Sequence, residues 1–132
     1  MFMPSVLMIL PFVCFSNGLP SIIKLGGLFE TDEEEQQTVF DIAVNWINED
    51  EKVLPKSTLV AYKESHESDN SFEVSKKVCK LLSFGMAGIF GPQSPVSATH
   101  VQSISDALEV PHIETRWDYK HKRDDLSINL HP

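Results

Sequence analysis

Five histidines, two cysteines and 19 acidic side chains are the groups with most chemistry to offer, and their spacing decides what they can do. His66, His100, His112, His121 and His131 form no close pair at metal-ligand spacing, and Cys79 is the sole thiol beyond the apolar amino terminus, so a zinc site has no basis. Serine, histidine and aspartate are plentiful, but no G-x-S-x-G elbow or other nucleophile motif organises them, and no enzyme is expected. Gly26-Gly27 is not followed by G-x-G-x-x-G, and the acidic residues that come next would repel a pyrophosphate. Neither a nucleotide nor any other cofactor is expected. One turn does have binding potential. Gly88-Ile89-Phe90-Gly91 leads through Pro92 and Gln93 to Ser94, which can cap a helix begun by Pro95. Gly91, Gln93 and Ser94 would present backbone N–H groups and a helix dipole to an anion such as a carboxylate. A tight strand-to-helix turn uses the same glycine and cap with no ligand, and the residues leave both readings open.

The scaffold for these groups is written in the hydrophobic pattern. With 42% hydrophobic and 23% charged residues in 132, the chain has the make-up of one globular unit at most. Its formal net charge of -8 argues against nucleic acid and against a polybasic membrane patch. The acidic residues concentrate at Glu30 to Glu35 and Asn48 to Glu51, as solvated helix ends do. From Ser21 onward, short β-rich runs alternate with helical patterns. Ser21 to Phe29 reads as a strand, followed by a helix opened by an Asp32/Glu35 capping box with Phe40, Ala43, Val44 and Ile47 as its buried stripe. Ser57 to Tyr62 is a second strand. A second helix, with Asn70 and Glu73 at capping-box spacing, carries Val74, Val78, Leu81 and Leu82 and is ended by Gly85. Met86 to Phe90 is a covered strand, Val101, Ile104 and Leu108 mark a third helix stopped by Pro111, and strands around Val110 to Glu114 and in LSINL complete the pattern. The charged stretch Asp118 to Asp125 is read as a loop between them. The fold class is α/β, a three-layer open parallel sheet in the order 2-1-3-4-5. Ligands in such sheets collect at the carboxyl ends of the strands, here the loops after Phe29, Tyr62, Phe90 and Ile113.

The first fifteen residues, MFMPSVLMILPFVCF, hold no charge and are too few to cross a bilayer. They read as a signal peptide, residues 1–18, with Ser16 and Gly18 as the small residues before the cut, or with a cut after Ser16 instead. Cys14 leaves with it, and Cys79 becomes the only cysteine in an oxidising compartment. No later segment is long and apolar enough to span a membrane, so residues 19–132 are expected as a soluble, secreted product. No Asn-x-Ser/Thr acceptor occurs.

IFGPQSP, followed by VQSISDALEVPHIETRW from Val101 to Trp117, carries a resemblance that periodicity cannot supply. With LGGLFE, AVNWIN at Ala43 to Asn48 and SFEVSKKVCKLLSFG at Ser71 to Gly85, these strings resemble the amino-terminal extracellular domain of kainate-type ionotropic glutamate receptors, over most of the chain and in the right order. The resemblance implies a type I periplasmic-binding-protein clamshell, of which residues 19–132 supply the first part of lobe 1. It implies a module for dimerisation and subunit assembly at the extracellular, postsynaptic side of the plasma membrane. Its partners would be other glutamate receptor subunits, in homo- or heterodimers through lobe 1, while glutamate itself is bound by a separate domain of the parent receptor. Phe72 matches an aromatic of the family's lobe 1 dimer interface, with the third helix alongside. Cys79 matches a cysteine that closes a long disulfide with a residue far downstream, a partner beyond Pro132. Trp117 serves equally well as packing or as function. The segment between Phe29 and Ala43 is shorter and more acidic than in the vertebrate members, so loop contacts near the first helix do not carry over. The competing reading is an amino-acid-binding lobe of a related receptor, with the Gly91 to Ser94 turn holding the ligand's carboxylate.

Overall fold

The computed structural model describes residues 18–116 and 126–130. The leader through residue 17, Trp117 and the charged stretch 118–125 lie outside the described residues, as do His121 and His131. Five parallel strands form one sheet: β1 (Ile22–Glu30), β2 (Thr58–His66), β3 (Gly88–Phe90), β4 (His112–Glu114) and β5 (Ser127–Asn129), in the order β2-β1-β3-β4-β5. The helices α1 (Glu34–Glu49), α2 (Ser71–Ser83) and α3 (Pro95–Ala107) are the crossovers. This is the expected three-layer α/β architecture. No helix among the described residues is long and apolar enough to cross a membrane.

Right-handed crossovers decide which helix covers which face. α2 and α3 lie together on one side, and Leu28, Val74, Val78, Leu81, Met86, Ile89 and Val101 form the buried core there. Gly26 lets that core close, since a Cβ on it would stand 2.6 Å from Ile89 Cδ1. α1 is alone among the described helices on the opposite face, where Phe40 meets Phe29 and Phe90 at ring-centroid separations of 5.7 and 5.3 Å. Ile113 pairs with Phe90 and Ile128 with Ile113, so both share α1's side of the sheet; Ile128 is half exposed.

Several boundaries depart from the sequence expectation for identifiable reasons. β2 continues four residues past Tyr62 because Lys63 pairs with Asp41 of α1 and Glu64 with Lys80 of α2, so its charges find partners in both helical layers. α1 begins without the Asp32/Glu35 box. Glu33 occupies the cap position, and its carboxylate instead accepts from the Glu30 N–H at 2.7 Å. Ala43 is exposed rather than part of the buried stripe, of which only Val44 is fully buried. Asn48 explains how α1 stays docked: its amide donates to Leu59 O (2.9 Å) and accepts from Leu59 N (2.8 Å), occupying backbone groups of the edge strand. Gly85 ends α2 as read, at φ +75°. α3 ends before Pro111 can act. Glu109 takes a left-handed φ of +56°, with Val110 N–H donating to Ser105 O and Glu109 N–H to Asp106 O, a Schellman closure without glycine. The buried stripe of α3 is Ser97, Ala98, Val101 and Ser105, and Leu108 is exposed.

Candidate functional site: the outer face of α2 and the carboxyl edge of the sheet

Asn70 caps α2 by accepting from Glu73 N–H at 3.1 Å, and this fixes the first turn on which Phe72 stands. With Val74, Val78 and Leu81 turned to the core, Phe72, Lys76, Cys79 and Ser83 fall on the outward side of the helix. Phe72 is 74% exposed, its ring covered only at one side by Lys76, whose Nζ is 5.6 Å from the centroid. Phe72 and Lys76 line a shallow groove of about 530 Å³ with Glu64, Asn70, Glu73 and Lys80. Glu73 pairs with Lys77 at 2.8 Å, and this bond, together with the Glu67 N–H, holds its carboxyl below the usual range. Cys79 is exposed and forms no disulfide among the described residues.

The start of α3 lies at the same end of this layer, because both helices follow carboxyl ends of strands. Ser94 is at the cap position and Pro95 at the first turn, but the Ser94 hydroxyl makes no capping bond. It donates instead to Asp69 Oδ1 at 2.9 Å, tying the start of α3 to the turn before α2. Val96, next to Pro95, is exposed like Phe72.

The anion-turn residues are brought to the carboxyl edge as expected from topology, though their polar groups are engaged elsewhere. Gly91 has φ +73°, and a Cβ there would fall 2.4 Å from Leu28 O. Its N–H donates to Ile113 O and Gln93 Nε2 donates to Thr115 Oγ1, while Ser94 serves Asp69. The adjoining cavity of about 440 Å³ is walled by Phe29, Val39, Phe40 and Phe90 and bordered by Glu33 and Glu35. Carboxylates at the rim count against an anion here, and the Gly91 N–H and the Gln93 and Ser94 side chains are already engaged.

The sequence reading passed over a buried polar group on β4. His112 and Glu114 are both fully buried. His112 Nε2 is 2.8 Å from Gly91 O, and Arg116 Nε donates to Glu114 Oε2 at 2.6 Å. The one available signal is the alternation His-Ile-Glu in the expected strand around Val110 to Glu114, which places two ionisable side chains on one face.

A parallel sheet in this order between helical layers defines the doubly wound α/β class, and comparison with known proteins narrows that class to a receptor family. The family model described as "Receptor family ligand binding region" matches residues 35–132. The chain is 39% identical to the glutamate receptor ionotropic, kainate 1 of Mus musculus, over 94% of this chain and 16% of that protein. It is 39% identical to the Rattus norvegicus and 38% to the Homo sapiens kainate 1 proteins, over 94% of this chain and 14% of each. The chain belongs to this receptor family, in its kainate-type ionotropic glutamate receptor branch. It spans about one-sixth or less of the length of these curated relatives.

Proposed function

We propose that residues 19–132, after a leader of residues 1–18, are the first part of lobe 1 of a receptor's amino-terminal domain, and that they act in dimerisation and subunit assembly through the α2–α3 layer. The observation that carries this reading is Phe72, a large aromatic standing on a capped first turn and left 74% exposed beside a shallow groove. An aromatic so presented loses little conformational entropy when a partner covers it, which is how interface anchors work. Kinship to kainate-type receptors supports partners that are other subunits of the same class, on the extracellular side of the membrane. The role is that of a binding module without catalysis. Cys79, exposed on α2, is left to pair with a cysteine of the longer receptor rather than within residues 19–132. The competing carboxylate-binding reading finds less support, because the Gly91 N–H and the side chains of Gln93 and Ser94 are already engaged and Glu33 and Glu35 border the adjoining cavity.

Sedimentation equilibrium of the complete amino-terminal domain tests the proposal. Phe72→Ala is expected to weaken the dimer by about 2 kcal/mol, roughly a thirtyfold rise in Kd, with the fold intact. An unchanged dimer constant would remove Phe72 from the interface.

A further inference from the structure

The buried groups of β4 form an arrangement that assembly does not use. His112 Nε2 can only donate to the Gly91 carbonyl, and in the neutral imidazole this leaves Nδ1 as a bare acceptor. Among the described residues Nδ1 has no hydrogen-bond partner, and it faces Glu114 Oε1, equally unpartnered there, at 3.7 Å. Two buried acceptors thus confront each other across a gap that one proton would bridge. We propose that His112 and Glu114 form a buried proton-binding pair beneath the β3–α3 turn, which makes the stability of the fold sensitive to pH.

Each element packed around the pair contributes to its balance. Asp106 faces it from α3 and Glu114 from β4, and both favour a charged imidazolium; Arg116, which follows β4, opposes it. The turn contributes only the Gly91 carbonyl, and β5 places the uncharged Ser127 opposite His112 in register. Burial is the largest influence and holds His112 below the ordinary histidine value. The proton comes from solvent and goes to Nδ1, converting the acceptor into a donor aimed at Glu114 Oε1. The sign follows from the lowered value. Unfolded His112 takes its proton near pH 6.5, folded His112 only at lower pH, so its contribution to stability is full above about 6.5 and is lost as pH falls through the folded value.

The measurement is a proton-NMR titration of the His112 imidazole in the complete amino-terminal domain, between pH 8 and 4.5, with melts at both ends of the range. His112 is expected to titrate below the ordinary histidine midpoint, and Glu114→Gln to move that midpoint further down by removing the facing negative charge. His112→Gln, whose amide can still donate to Gly91 O, should flatten the decline in melting temperature on acidification. A midpoint at or above the ordinary value in the unaltered chain would overturn the proposal. So would a midpoint unmoved by Glu114→Gln. Should either variant fail to fold, the titration of the unaltered chain decides.

Discussion

Gly91 stands where the β3 chain turns under Leu28, and its φ of +73° together with the 2.4 Å approach of Leu28 O leaves no place for a side chain. The contact is with backbone, which cannot rotate away. Gly91→Ala is therefore expected to cost about 2 kcal/mol or more, read as a lowered midpoint in denaturant melts. Gly85 has the same sign of φ, but nothing lies within 4 Å of its missing Cβ, so Gly85→Ala should cost only about 1 kcal/mol. Equal losses at the two sites would show that the close approach under Leu28 is not a constraint. At this scale the sequence was legible wherever a residue's role is local: Gly85 as a terminator, Asn70 as a cap, Pro95 in a first turn. It was opaque for roles set by a distant neighbour. Ser94 has the right type and position for a cap, yet Asp69, 25 residues away, takes its hydroxyl.

Elements were read correctly in kind and order, and misread at their ends. β2 outruns its apolar pattern because ion pairs from two layers satisfy Lys63 and Glu64, a tertiary effect that hydrophobic periodicity does not register. Of the expected α3 stripe, Val101 is buried and Ile104 packs on the core, but Leu108 is exposed, and the helix also buries the small Ser97, Ala98 and Ser105, which carry little hydrophobic signal. Glu109 closes α3 in the left-handed region at φ +56°, so Glu109→Gly should stabilise the fold by about 0.5–1 kcal/mol; a melting temperature that falls would deny the strain. Asn48 makes two hydrogen bonds to Leu59 and holds α1 to the edge of the sheet. Asn48→Ala should cost about 1–3 kcal/mol and raise amide exchange in β2, because the backbone groups of Leu59 lose partners in a partly buried place.

The whole molecule is covered unevenly. α2 and α3 close one face of the sheet around a core whose residues are nearly inaccessible. On the other face, the described α1 reaches β1, β2 and, through Phe40, Phe90 of β3, but leaves Ile128 half exposed, and α1 itself turns Val39, Ile42 and Trp46 to the outside. Residues 19–132 expressed alone are therefore expected to bind a hydrophobic dye and to aggregate, as seen by fluorescence and light scattering. A monodisperse monomer with a sharp cooperative melt would show the opposite. This imbalance could be anticipated from the alternation of strands and helices, whereas the buried His112–Glu114 pair depends on how β4 sits against α3 and could not.

In the proposed assembly, subunits meet through the α2–α3 layer and not through the exposed face of α1. Hydrogen exchange of the complete amino-terminal domain, followed at concentrations above and below dimer dissociation, addresses it element by element. The account predicts concentration-dependent protection in the first turns of α2 and α3, around Phe72 and Val96, with α1 unchanged. Protection that appears on α1 instead, or on neither layer while the domain dimerises, would contradict it.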